Sequence, residues 1–131
     1  MAERYGAGGA RVEAQSGFPH LLNAGLPALR QGRMRGLGEP HARLDALLAI
    51  MTTLEDTCLL HRGGRKALTV AQTGAARVLA NGGSSTVDGQ EALRHLHESL
   101  MALWSSPGGS ADLLAATLFV DRVAKPGERR V

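Results

Sequence analysis

Cysteine, aromatic rings and long apolar runs are all scarce in this chain, and each shortage closes off a class of protein. Cys58 is the single cysteine, so no intramolecular disulfide can form and nothing points to an oxidising compartment. Aromatic residues make up only 3% of the sequence. That disfavours a β-sandwich, whose strands draw on Val, Ile, Tyr, Phe and Trp, and it removes the stacking platforms that single-stranded nucleic acid needs. The longest strongly apolar stretch, Leu113 to Val120, is far shorter than the ~20 residues that cross a bilayer. The opening Met1-Ala2-Glu3-Arg4-Tyr5 lacks the apolar segment of a secretory signal. The expectation is a cytoplasmic protein without a membrane or nucleic-acid partner.

What is present favours helices. Hydrophobic residues are 44% of 131, and a chain of this length can bury about two-thirds of its extended surface. With few rings available, Leu, Ala, Val and Met must fill the interior, and these are mostly good helix formers. The expected fold is all-α, a bundle of about five to six helices forming part of a larger helical domain. Net charge is +3, which suits an anionic small ligand as well as nucleic acid. The cations gather at Arg30/Arg33/Arg35, Arg62/Arg65/Lys66 and Lys125/Arg129/Arg130. The last group follows Pro126-Gly127 and reads as a solvated tail, giving a helical unit over 1–123 and a basic tail over 124–131.

Along the chain, 10–15 reads as a short helical piece stopped by Ser16-Gly17. A second helix opens at Phe18-Pro19, is broken or kinked by Gly25 and Pro27, and ends between Gly32 and Gly38. Pro40 starts a third. Its Leu44, Leu47, Leu48, Met51 and Leu54 follow one buried stripe, and a left-handed glycine cap is expected at Gly63. Lys66 to Ala80 gives a fourth helix, stopped by Asn81-Gly82-Gly83. Ser85 to Asp88 offers caps for a fifth, with Leu93, Leu96, Leu100 and Leu103 inward and Trp104 as a plug at its end. The last helix follows Gly109 and is apolar nearly all round from Leu113 to Val120, which predicts burial on several sides.

Two stretches could carry chemistry. In Asp56-Thr57-Cys58-Leu59-Leu60-His61-Arg62-Gly63-Gly64, a helix from Pro40 would put Asp45, Thr52 and Asp56 on one line and pair Glu55 with Arg62. Its end would join an imidazole, a guanidinium fork and bare amides that can grip phosphate. A helix C-terminus with cations against its dipole and a glycine cap accounts for the same residues. In Ser106-Pro107-Gly108-Gly109-Ser110-Ala111-Asp112, small residues lead into a helix whose free amides form an anion site. Asp112 could hold Mg²⁺ or favour the dipole, and simple capping by Ser106 or Ser110 is the plainer alternative. There is no Gly-Lys-Ser/Thr of a P-loop. His95 and His97, two apart, lack zinc spacing on a helix, and His20 and His41 beside prolines read as exposed. Cys58 reads as a buried small residue.

These stretches, with Gly9-Ala10-Arg11, Glu13-Ala14, Gly17-Phe18-Pro19 and Gly25-Leu26-Pro27-Ala28-Leu29, resemble the triphosphoribosyl-dephospho-CoA synthases, in order and over about Tyr5 to Val123. Cys58 is similar to the malonate decarboxylase branch rather than the citrate lyase branch, which usually has asparagine there. The resemblance implies a transferase that joins ATP to 3′-dephospho-CoA and releases adenine, with Mg²⁺ as a companion of the triphosphate. It implies that Arg62, Gly63, Gly64, Gly108, Gly109 and Ser110 cradle phosphates, that Asp56 or Asp112 holds metal or acts as base, and that His61 assists. Full-length members carry a further amino-terminal segment, so the chain resembles their carboxy-terminal part. Its partner would be that missing half or a second copy. The alternative expectation is a truncated fragment that binds nucleotide or a partner without turnover.

Overall fold

The computed structural model describes residues 19–103 and 105–124. The helix expected over 10–15, the Trp104 plug and the tail expected over 124–131, save Ala124 at the end of the last helix, lie outside the described residues. Among the described residues the fold is all-α. A π-helical turn, Leu21–Gly25, runs into α1 (Leu26–Met34), followed by α2 (Glu39–Met51), α3 (Thr57–Ala80), α4 (Val87–Ala102) and α5 (Gly108–Ala124). The break expected at Gly25 and Pro27 takes the form of that π turn, with Pro27 in the first turn of α1, where its missing N–H costs nothing. A Cβ at Gly25 would stand 2.7 Å from Thr117 Oγ1 and 3.0 Å from Ile50 Cδ1, so glycine lets the turn lie against α2 and α5.

The helix opened by Pro40 does not run to Gly63. It ends at Met51, where Thr52 turns its hydroxyl back to Ala49 O at 2.7 Å and the chain bends over 52–56. Asp56 then caps a new helix. Asp45, Thr52 and Asp56 therefore share no helical line, and Glu55 and Arg62 share no helix face. The left-handed residue is Gly64 (φ 69°, ψ −162°), not Gly63, and it lies inside α3 as a kink between two helical stretches. Only glycine enters that region readily.

The main core is built by α3 and α4. Leu59, Leu60, Leu68, Ala71, Ala75 and Val78 pack with Leu48 and Met51 of α2 and with Ala92, Leu96 and Leu100 of α4. Each fully buried Leu contributes about 1.5–3 kcal/mol of transfer free energy. On the other face of α2, Ala42 and Ala46 meet Leu29, with Leu114 and Leu118 of α5 against them. Ile50, Leu54 and Leu113 form a third cluster, and Leu114 packs against both it and the Leu29 cluster. The burial on several sides expected over 113–120 is incomplete among the described residues: Ala115 and Phe119 are exposed, Phe119 to 67%. No helix among the described residues is long and apolar enough to cross a membrane.

Ion pairs fasten the ends of α1, α2 and α5. Arg33 donates to Glu39 from Nε (2.5 Å) and Nη2 (3.0 Å) and to Asp121 of α5 from Nη1 (2.6 Å), while Arg43 reaches Glu39 at 2.7 Å. The hydrogen bond from Arg33, followed by that from Arg43, holds the Glu39 carboxyl down at about 2, although partial burial opposes this. A carboxyl lower in the folded than in the unfolded chain adds stability above its ordinary value and loses it as pH falls through the folded value. Stability should therefore decline as pH falls from 4.5 to about 2, and Glu39→Gln should flatten part of that decline in urea melts followed by circular dichroism.

Candidate functional site

Asp56 occupies the meeting point of two helix starts. As N-cap of α3 its Oδ1 accepts from Cys58 N (3.0 Å) and Leu59 N (3.4 Å). The same oxygen accepts from Gly109 N at 3.0 Å, and Oδ2 accepts from Ser110 N (2.7 Å) and Ser110 Oγ (2.9 Å). The carboxylate is 1% exposed. Buried charge on this scale persists only when it is met by donors, and here two positive helix ends supply them. A Cβ at Gly109 would lie 3.0 Å from Asp56 Oδ1, so the close approach needs glycine there.

At the start of α5, where an anion site was expected, the donors are taken by the chain's own Asp56 carboxylate. Gly109 and Ser110 spend their donors on Asp56. Gly108 packs on Cys58, whose Sγ would stand 2.7 Å from a Cβ there. Gly63 packs on Ser105, whose Oγ would stand 2.5 Å from a Cβ. Nothing lies within 4 Å of the Cβ position of Gly64, so its backbone borders open space. Cys58, His61, Arg62 and Asp112 are exposed. Cys58 is thus a rim residue rather than the buried one expected. Its thiol is pushed above the ordinary range, first by desolvation and then by the charges of Asp56 and Asp112, with the Gly109 N–H and Arg62 pulling the other way. Asp56, Asp112 and Arg62 are close enough to act on one sulfur.

The two carboxylates expected to hold Mg²⁺ differ in access, Asp112 being exposed and Asp56 buried. Asp56 is saturated by N–H and O–H donors, leaving Asp112 alone. No group of three or more His, Cys, Asp and Glu able to hold a metal occurs among the described residues. His20 and His41 are half-buried rather than exposed.

Two further features differ from what the sequence suggested. Asp45, also buried, accepts from Ser84 N at 2.8 Å, and Ser84 Oγ lies 3.3 Å from His41 Nδ1, so the loop between α3 and α4 is held to α2. A hollow of about 370 Å³ is lined by Pro19, His20, Asn23, Ala24, Thr52 and Thr53, on the loop that ends at Asp56. The π turn beside it is a sign that sequence periodicity does not carry.

An all-helical unit with a glycine-rich rim around a shared carboxylate is the class that fold and site define. The whole chain, residues 1–131, matches the family described as CitG: ATP:dephospho-CoA triphosphoribosyl transferase, and it belongs to that family. It is 58% identical over 123 residues to a protein of Pseudomonas paraeruginosa, covering 94% of this chain and 42% of the relative. A Pseudomonas fluorescens protein is 54% identical over 127 residues (97% and 44%), and one from Azotobacter vinelandii 56% over 123 (94% and 42%). All three carry the name "Probable 2-(5''-triphosphoribosyl)-3'-dephosphocoenzyme-A synthase". The chain thus spans less than half the length of these relatives. No solved structure matches it.

Asp56→Ala should lower stability by about 3–4 kcal/mol in urea unfolding, since two caps worth up to ~2 kcal/mol each disappear together. Asp56→Asn should be nearly as damaging, because its amide turns a donor toward other donors. Cys58, although exposed, should be alkylated by iodoacetamide more slowly than free cysteine at neutral pH, because less of it is thiolate. Asp112→Asn should raise that rate; no change would separate Asp112 from the thiol.

Proposed function

We propose that this chain is part of an enzyme that joins ATP to 3′-dephospho-CoA for the prosthetic group of a malonate decarboxylase acyl carrier protein, in the cytoplasm. In the reaction, the 2′-hydroxyl oxygen of dephospho-CoA bonds to the anomeric carbon of the ATP ribose. The bond from that carbon to adenine breaks, the hydroxyl proton passes to a base, and adenine leaves protonated. The product is 2′-(5″-triphosphoribosyl)-3′-dephospho-CoA. Membership of the family over residues 1–131 supports the reaction class. The observation that carries the site is the bonding of Asp56 to Gly109 and Ser110, which brings the two glycine-rich stretches together.

Roles follow from which groups remain accessible. Arg62, exposed at the rim, offers a fork for the triphosphate, and the backbone at Gly64 admits close approach. Asp112, exposed and with no metal companion, is the base for the hydroxyl proton, and its charge favours an oxocarbenium-like carbon. His61 assists adenine's departure. Asp56, Gly63, Gly108, Gly109 and Ser110 are positioning residues that fix this rim. Malonate decarboxylase is preferred to citrate lyase because Cys58 stands where the other branch usually has asparagine.

A second reading rests on length: at 42–44% of its relatives, the chain binds nucleotide and turns over only with the remaining part. Adenine release from ATP plus dephospho-CoA, assayed for the chain alone and with the rest of a relative, distinguishes the two. Arg62→Ala should weaken ATP binding about 10–100-fold in calorimetry, the range set by ~1.5–3 kcal/mol for a charge-assisted hydrogen bond. Unchanged affinity would remove Arg62 from the phosphate site.

A further inference from the structure

The exposed side of α5 has the composition of a helix–helix contact. Asp112, Ala115, Phe119 and Arg122 recur at three- and four-residue steps and are all exposed, so they form one stripe. Its centre is apolar: Phe119 is 67% exposed beside the small Ala115. Its ends are charged, an acid at Asp112 and a base at Arg122, about 15 Å apart at 1.5 Å per residue. The opposite side of the same helix is firmly seated, with Leu113 and Thr117 buried. Thus α5 has an apolar centre on a face that the described residues leave exposed. One exposed ring is common on a protein surface; here it is flanked along the same stripe by a small residue and by opposite charges, the pattern of a helix-packing face.

The relatives supply the occupant. The matched residues are only 42–44% of their length, so more than half of each of these relatives lies outside the unit described and is available to cover it. We infer that this remaining portion docks a helix on the Asp112–Ala115–Phe119–Arg122 stripe of α5, apolar along its middle, basic opposite Asp112 and acidic opposite Arg122. Because Asp112 is also a rim residue, the docked helix borders the site around Asp56 and Cys58. The inference concerns assembly and is independent of which reaction the site performs.

The test co-expresses the full chain, affinity-tagged, with the untagged portion of the Pseudomonas fluorescens relative that lies outside its matched 127 residues. Stoichiometric co-purification is expected, with Phe119→Glu and Ala115→Glu each lowering the recovered portion at least tenfold. Val87→Glu, at another exposed apolar residue (83%), should leave recovery unchanged. Circular dichroism of each variant verifies the fold. Failure to co-purify, or recovery indifferent to both stripe variants, overturns the inference. So does a homodimer of this chain that Phe119→Glu converts to monomers, since a second copy would then own the face.

Discussion

One carboxylate sets the geometry of the candidate site. Asp56 is the N-cap of α3 and, through Gly109 and Ser110, the counter-anion for the start of α5. Two helix ends that would each attract an anion share one that the chain provides. This explains several neighbouring residue choices. Gly109 permits the approach, Gly108 makes room for Cys58, and Ser110 adds a hydroxyl to its amide. The helix-end amides are thereby spent on architecture, and the groups left accessible nearby are the exposed Arg62 and Asp112 side chains and the open backbone at Gly64.

The pattern recurs elsewhere in the fold. Asp45 and Asp121 are, like Asp56, buried, and each ties together segments distant in sequence: Asp45 the loop at Ser84, Asp121 the end of α1 through Arg33. The aliphatic core contributes burial but little direction, because Leu and Ala side chains can pack in many registers. Hydrogen-bonded carboxylates accept only particular partners. They fix which helix ends meet, while Leu48, Leu68, Leu96 and their neighbours supply the bulk of the burial.

Much of this was legible in the sequence. The stripe of Leu93, Leu96 and Leu100 gave α4, and Asn81-Gly82-Gly83 ended α3 as expected, with both glycines at positive φ. The proximity of the two glycine-rich stretches was a natural expectation from a shared ligand, yet the contact that joins them is internal. The break over 52–56 was missed because the apolar stripe from Leu44 to Leu54 continues across it. The sign that could have shown it was Asp56 itself, a good N-cap ahead of Leu59 and Leu60. Its partners at Gly109 and Ser110 are 53 and 54 residues away, beyond any local pattern. The apolar run of α5 predicts burial on several sides, yet Ala115 and Phe119 are exposed among the described residues, since periodicity reports apolarity and not what covers it.

Those long separations also bear on how the chain comes to be made. At synthesis rates of about 5–20 residues per second, the donors at Gly109 and Ser110 emerge roughly 3–10 s after Asp56. In that interval α3 can form with a cap that is only half satisfied, and the rim around Cys58 and Arg62 has no floor. The joint between the starts of α3 and α5 thus closes late relative to α3 itself, and a pause before Gly109 leaves the Asp56 carboxylate with its local donors alone.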